Sequence, residues 1–129
     1  MNELNIEGTS ATPKIYFDKN SGKFEIKGKS FPEESRIYYT PVFKWLEEYA
    51  KDPNEETYFE FKMEYFNSSS SLIILEILNL LDTIYKNGKK VTISWNHLEI
   101  DDDMKEAGEE YAELVSLPFE YHSFEEAEF

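Results

Sequence analysis

Five consecutive polar residues, Asn67-Ser68-Ser69-Ser70-Ser71, carry the side chains of this sequence that could most readily support chemistry. They stand between a strand-like and a helix-like pattern. Asparagine and serine cap the first backbone N–H groups of a helix, and such a cap is worth about 1 kcal/mol. A hydroxyl there can also carry phosphate, because the free N–H groups and the helix dipole accommodate its charge. The run is therefore either a cap alone or a cap beside a modification site.

Phosphorylation of this turn would act on binding rather than on folding. A phosphoserine adds a charge of about −1.5 to −2 and three acceptor oxygens. A partner that buries the turn, or that sets its own carboxylates against it, would lose the contact. The residues alone leave the cap and the switch both open.

Other reactive side chains are few. The sequence has no cysteine, which excludes a thiolate nucleophile, a disulfide and a Cys-based zinc site. His97 follows a predicted strand and His122 lies near the end of the chain, and neither setting suggests a catalytic triad. We interpret His97 as a surface or locally bonded imidazole and His122 as facing solvent. The sequence therefore predicts a protein that is not an enzyme.

The run Asp101-Asp102-Asp103 could suggest a calcium loop. That loop needs glycine at its sixth position and glutamate at its twelfth, and Glu106 and Ala112 stand there instead. The better interpretation is an acidic helix start, which suits the positive end of the helix dipole. No metal or other cofactor is predicted.

The charge excludes nucleic acid as a partner. Twenty-seven acidic against 13 basic residues give a net charge of −14, which repels a phosphate backbone. The many aromatic residues follow strand and helix patterns, so they are interpreted as core. The N-terminus lacks a basic and apolar leader pattern, and no apolar run approaches the roughly 18 residues of a membrane helix. We expect a cytoplasmic protein without membrane contact.

The elements that position the serine run can be read from periodicity. Residues 1–13 are predicted to be an extended arm, and alternation over 15–26 around a turn predicts a β-hairpin. Thr40 is predicted to cap a helix whose first residue is Pro41, and this helix ends before Asp52-Pro53. Residues 31–39 fit either a helical turn or a loop.

The serine run itself lies inside a predicted βαβ unit. Strand 57–65, helix 70–87 and strand 91–95 form it, and a right-handed crossover makes the two strands parallel. The helix is apolar on more than one face, so it should be covered on nearly all sides. Another helix, a short final strand and an acidic tail at 124–129 complete one domain over 1–129. The predicted fold class is α/β, a mixed sheet with helices packed on it.

Several segments also carry a resemblance that runs over nearly the whole chain. They are Ile6-Glu7-Gly8-Thr9 with Thr12-Pro13, Ile26-Lys27-Gly28-Lys29-Ser30-Phe31-Pro32-Glu33, Trp45-Leu46, Tyr65-Phe66-Asn67-Ser68-Ser69-Ser70, Ile77-Leu78-Asn79-Leu80-Leu81, Gly88-Lys89-Lys90-Val91 with Trp95, and Gly108-Glu109-Glu110. No single segment is specific, but their order and spacing together are. The chain resembles the SiaC-type family of bacterial regulatory phosphoproteins.

The resemblance implies a fold similar to the STAS domains of anti-sigma-factor antagonists and a partner-switching role. A Ser/Thr protein kinase and a PP2C-like phosphatase would set the phosphorylation state. The unphosphorylated form would bind and activate a diguanylate cyclase, raising cyclic di-GMP and favouring biofilm or aggregation. An alternative is an anti-sigma-factor antagonist that binds an anti-sigma kinase.

The resemblance also selects one serine. The family's phosphoacceptor is the hydroxyl residue directly after the asparagine, which is Ser68 here. Relatives can carry threonine at this position, so serine keeps the hydroxyl and leaves open which kinase reads it. Ser69 and Ser70 are the alternates, and the whole run 67–71 is expected to contact the partner.

Overall fold

A computed structural model describes residues 1–126, which form one mixed sheet with helices packed on it. In chain order the elements are β1 (Leu4–Ile6), β2 (Lys14–Asp18), β3 (Lys23–Ser30), α1 (Ser35–Tyr38), α2 (Thr40–Lys51), β4 (Glu56–Phe66), α3 (Ser68–Lys86), β5 (Lys90–Leu98), α4 (Asp102–Leu114) and β6 (Phe119–Phe124). This confirms the predicted mixed α/β fold class.

The six strands lie in the sheet in sequence order. β1, β2 and β3 are antiparallel neighbours, whereas β3, β4, β5 and β6 run parallel to one another. The predicted parallel pairing of 57–65 with 91–95 is confirmed, with Phe59 opposite Ile93 and Phe61 opposite Trp95. The carboxyl ends of the parallel strands therefore share one edge, where α3 begins.

The core lies between one face of the sheet and the helices. Alternate strand residues point into it, and Phe17 and Phe24 meet Trp45 and Tyr49 of α2 at ring-centroid distances of 5.1 to 6.0 Å. The apolar stripe predicted for this helix is buried as expected. On the other half of the sheet, Trp95 packs against α4.

The N-terminal arm is only partly as predicted. Leu4–Ile6 pairs with β2 as an antiparallel edge strand, with Leu4 opposite Phe17, and the Trp45 Nε1–H donates to the Asn2 carbonyl oxygen at 2.8 Å. The prediction of an arm without regular structure is therefore wrong for these three residues. Three residues with polar neighbours are too few to show a periodic pattern in the sequence. They form a strand because they pair with the edge of the sheet.

The start of α2 also differs from the prediction. Tyr39 is the N-cap, and Thr40 is the first helical residue. The Thr40 hydroxyl donates back to the Arg36 carbonyl oxygen at 2.9 Å, because the short helix Ser35–Tyr38 runs directly into α2. This helix settles the undecided segment 31–39 in favour of a helical turn.

The helix after the serine run starts earlier and is less covered than predicted. It spans Ser68–Lys86, Asn87 is its C-cap, and Gly88 follows with a φ of +103°, the left-handed conformation predicted for this glycine. Leu72 is 65% exposed, so the expectation of cover on nearly all sides is wrong at the first turns. The sheet reaches only one side of the helix there.

At the C-terminus, Phe124 ends β6 rather than opening a tail, and Glu125 and Glu126 follow the strand. The rest of the predicted acidic tail, 127–129, lies outside the described residues. Within residues 1–126, no helix combines the length and apolar character needed to cross a membrane.

Candidate functional site

The serine run lies in the turn between β4 and α3, at the edge where the parallel strands end. Asn67 has extended backbone geometry, and its side-chain Oδ1 accepts a hydrogen bond from the Ser70 N–H at 2.9 Å. The Ser71 N–H donates to the Asn67 carbonyl oxygen at 2.9 Å. Asn67 is therefore the cap, and none of the serine hydroxyls is needed for that role.

Ser68 has the most accessible chemistry of the four serines. It is the first residue of α3 and is exposed. No residue in the described range 1–126 hydrogen-bonds its hydroxyl. The hydroxyls of Ser69 and Ser70 bond to other side chains, and the hydroxyl of Ser71 bonds to a backbone carbonyl. The first N–H groups of a helix lack intrahelical partners, so an anion at this position would meet donors and a favourable dipole.

Ser69 and Ser71 are engaged at the surface. The Ser69 hydroxyl lies 2.7 Å from the Ser35 hydroxyl of α1 and donates to Asn67 Oδ1 at 3.1 Å. The Ser71 hydroxyl donates to the Ser68 carbonyl oxygen at 2.6 Å. Both side chains support the turn, so neither is as free to react as Ser68.

Ser70 is fully buried, which does not fit its prediction as an alternate phosphoacceptor or partner contact. Its hydroxyl lies 2.8 Å from the Ser30 hydroxyl, which lies 2.6 Å from the Tyr39 hydroxyl. Burial raises the pKa of Tyr39 well above its ordinary value, so this hydroxyl stays protonated at neutral pH. A chain of neutral hydroxyls thus joins β3, the start of α2 and the first turn of α3.

Sequence reasoning missed Ser30, Ser35 and Tyr39. The hydrogen bonds that tie them together span up to 40 residues, and no local pattern marks them. It also missed the apolar surface around Ser68, because the apolar residues after the serines were interpreted as wholly buried.

That apolar surface, which we call the Leu72 rim, consists of Leu72 and Ile37. Leu72 is one helical turn from Ser68, and it lines with Ile37 a groove of about 440 Å³ between α1 and α3. Leu72 and Ile37 are 65% and 67% exposed. The exposed rings of Phe31 and Tyr65 contact each other with centroids 5.8 Å apart. The Ser68 hydroxyl therefore lies one helical turn from an exposed apolar side chain.

The remaining candidate residues have structural surroundings. His97 is buried, which corrects the surface alternative, and its Nδ1 lies 2.8 Å from the Leu98 carbonyl oxygen, as the locally bonded alternative predicted. His122 is exposed, 3.4 Å from the Tyr58 hydroxyl. Asp101 caps α4 by accepting from the Met104 N–H at 3.0 Å. Among residues 1–126 no group of three or more acidic or histidine side chains could hold a metal ion.

This chain is similar to known proteins over nearly its whole length. A protein of Pseudomonas aeruginosa (strain UCBPP-PA14) that is named only as uncharacterized is 30% identical over 126 residues, which is 98% of this chain and all of that protein. The crystal structure of apo-SiaC from Pseudomonas aeruginosa superimposes with a TM-score of 0.86 at 30% identity, covering 95% of this chain and 99% of that one.

A second solved structure shows SiaC from the same organism in a complex. It is the diguanylate cyclase SiaD with its activator SiaC, and the match has a TM-score of 0.88 at 30% identity, covering 94% of this chain and 99% of that one. These structures are all SiaC, so the likeness to anti-sigma-factor antagonists stays an expectation. A family model described as SiaC family regulatory phosphoprotein matches residues 6–124. This chain therefore belongs to the SiaC family of regulatory phosphoproteins.

Proposed function

We propose that this protein binds and controls a diguanylate cyclase, and that phosphorylation of Ser68 switches the binding off. The observation that carries the proposal is the free, exposed Ser68 hydroxyl at the start of α3, one turn from the exposed Leu72 side chain. The complex of the similar SiaC with the cyclase SiaD supports the class of partner.

The unphosphorylated surface suits a protein contact. Apolar side chains such as Leu72 and Ile37 are favourable to bury, at roughly 25 cal/mol per Å² of apolar surface. Ser68 beside them is small and uncharged, so a partner can cover it at low cost. We expect the cyclase to cover the Leu72 rim and the turn together.

Phosphate at Ser68 would change this surface without refolding the protein. The N-terminus of α3 accommodates the added negative charge, because its N–H groups and dipole face the phosphate. A partner covering the Leu72 rim would then have to strip water from a dianion, which costs several kcal/mol unless it is paired. Glu33 and Glu34 line the same groove, so the phosphate adds negative charge to a surface that already carries carboxylates.

The switch requires two further partners. A Ser/Thr protein kinase would add the phosphate, and a PP2C-like phosphatase would remove it. The protein itself would act through contact rather than catalysis, in the cytoplasm, where these enzymes and the cyclase would meet it.

The binding experiment uses the full chain and the diguanylate cyclase of its host. We expect Ser68→Ala to bind like the wild type and Ser68→Asp to bind at least about tenfold more weakly. Asn79→Asp is the matched control, because it adds the same charge at an exposed position of α3. Leu72→Ala should weaken binding whatever the state of Ser68.

Two results would contradict the proposal. Equal binding by the Ser68→Asp and wild-type proteins would exclude the switch, as would a phosphate found only outside Ser68 by fragment mass analysis of protein from the host. If the Ser68-dependent partner recovered were an anti-sigma kinase, the alternative role as an anti-sigma-factor antagonist would replace the cyclase.

A further inference from the structure

Three lysines that form no ion pair with any carboxylate among residues 1–126 line one pocket of this acidic protein. The pocket has a volume of about 330 Å³ and lies between the loop 8–12 and the paired strands β2 and β3. Lys14, Lys27 and Lys29 line it, together with hydroxyl side chains of the loop. We call it the lysine pocket.

The arrangement of these lysines is electrostatically unfavourable. Lys14 and Lys27 stand directly opposite each other in the antiparallel pair of β2 and β3, and like charges in such a pair are destabilising. The next residue in the same row, Lys62, lies within 3.4 Å of both Glu25 and Glu60 carboxylates. Within residues 1–126 none of the three pocket lysines has such a partner, although the chain has 27 acidic residues.

Hydrogen bonds within the loop 8–12, and from the end of β3 to the loop, hold the loop wall of the pocket in place. The Thr9 N–H donates to the Thr12 carbonyl oxygen at 2.8 Å, and the Thr9 hydroxyl lies 2.7 Å from the Thr12 hydroxyl. The loop is joined to the end of β3 by the Phe31 N–H, which donates to the Ala11 carbonyl oxygen at 2.8 Å. A bound ligand would therefore meet a loop that is already ordered.

Two glycines shape the same walls. A Cβ on Gly8 would lie 3.0 Å from the Lys14 backbone nitrogen, so a side chain there would require the loop and β2 to move apart by a few tenths of an ångström. Gly28 has a φ of +114°, a conformation that other residues rarely adopt. It lies between Lys27 and Lys29, at the register shift in the pairing of β3 with β4.

We propose that the lysine pocket binds a small phosphorylated molecule. Three ammonium groups against the single lining carboxylate, Glu64, leave about two positive charges to be neutralised, which matches a phosphate ester or a pyrophosphate group. The volume lies at the small end of known ligand sites, so it accommodates a phosphate group with a modest substituent. This site is separate from Ser68 and does not rest on the cyclase-binding role.

The test is a titration of the unphosphorylated full chain with inorganic pyrophosphate, followed by amide chemical shifts at constant ionic strength. We expect saturable shifts confined to residues 8–14 and 27–29. The double variant Lys14→Gln/Lys27→Gln should bind at least about tenfold more weakly. The control Lys23→Gln/Lys44→Gln removes the same charge from lysines that also lack ion pairs but lie outside the pocket, and it should bind within about twofold of the wild type.

Three results would overturn the proposal. They are shifts scattered over all surface lysines, an equal loss of affinity in the control, and absence of saturation up to about 10 mM pyrophosphate. A titration with succinate separates phosphate from general dianion binding, and equal affinity for both would also overturn the assignment. Lys29→Gln alone provides a second variant, because it leaves the opposed pair Lys14 and Lys27 unchanged.

Discussion

The four serines at the start of α3 have the same side chain but different surroundings, and those surroundings decide their roles. Ser70 is held in a buried hydroxyl chain with Ser30 and Tyr39, and Ser69 is bonded to Ser35. Ser68 alone of the four has an exposed hydroxyl without a partner in the described residues. One neutral side chain is therefore open to a kinase while its neighbours hold the turn in place.

The role of Ser70 can be tested by removing its hydroxyl. Ser70→Ala should lower the free energy of unfolding by about 1–2 kcal/mol, because a buried hydrogen bond to Ser30 is lost and the Ser30 hydroxyl keeps only its bond to Tyr39. Urea unfolding of the variant measures the loss.

Ser71→Ala is the matched control for that measurement. Its hydroxyl makes only a local bond to the Ser68 carbonyl oxygen at the surface, so the change should stay within about 0.5 kcal/mol. Equal stability of the two variants would show that the buried hydroxyl chain contributes nothing to folding.

At the scale of elements, α4 lies close to the sheet through a single small residue. A Cβ on Gly108 would come within 2.6 Å of the Trp95 Nε1 atom. The indole cannot move aside, because it is fully buried and its Nε1–H donates to the Met104 carbonyl oxygen of the same helix at 2.8 Å. Gly108 therefore sets the distance between α4 and β5.

Gly108→Ala tests this contact against helix propensity. Alanine favours a helix over glycine by about 1 kcal/mol, whereas overpacking a core costs about 1–3 kcal/mol. We expect the cost of overpacking to exceed the gain in helix propensity, with a net loss of about 1 to 2 kcal/mol in the free energy of unfolding. The reason is that the Trp95 side chain is buried in the core and hydrogen-bonded to α4, so it cannot move away. Glu109→Ala, at the next and exposed position, should change stability by less than about 0.5 kcal/mol. A more stable Gly108→Ala protein would contradict the close approach.

Periodicity predicted which elements form but not how they join. The stripe of α2 and the alternation of β4 are local patterns, and both were confirmed. Thr40 was wrong as a cap because α1 runs into α2 and supplies a different partner, the Arg36 carbonyl. The expected cover of α3 on nearly all sides was wrong at Leu72, because hydrophobicity shows that a side chain favours burial and not that another element reaches it.

In the candidate site, too, local sequence patterns were predictive and contacts between distant elements were not. Residue type predicted a cap within the run, by Asn67 or by one of the serines, and the structure shows that the cap is Asn67. The choice of Ser68 among four serines came from the family resemblance and stays a prediction. The burial of Ser70 depends on Ser30 and Tyr39, which approach only when the sheet and α2 pack together, so no local pattern could indicate it.

Across the whole molecule, the helices cover one face of the sheet and tyrosines are spread through both the core and the surface. Raised pKa values are found for five of them, Tyr16, Tyr38, Tyr39, Tyr111 and Tyr121. For Tyr39 and Tyr111 the main cause is burial, whereas for Tyr16 it is the hydrogen bond to the Glu3 carboxylate, which raises the pKa to about 12. The folded protein thus holds these protons more tightly than the unfolded chain.

This difference predicts loss of stability in alkali. A tyrosine in the unfolded chain has a pKa of about 10, so the stabilisation is complete below pH 10 and is lost as the pH rises toward the higher folded value. Tyr39 and Tyr111, the two tyrosines whose pKa is raised mainly by deep burial, each contribute at most about 1.4 kcal/mol per pH unit to the slope. Urea unfolding between pH 8 and about pH 11 should therefore show a falling free energy only above about pH 10.

Replacing single tyrosines shows which of them cause the fall of the free energy of unfolding in alkali. Tyr39→Phe should reduce the alkaline slope because its phenol is the most buried of the five, and the comparison uses slopes because the lost bond to Ser30 also lowers stability at neutral pH. Tyr111→Phe should act in the same direction, and the two effects should add if the sites are independent. An unchanged slope in the double variant would place the alkaline sensitivity elsewhere, in the other three tyrosines or in the lysines, whose loss of charge leaves the negative charge of this chain less compensated.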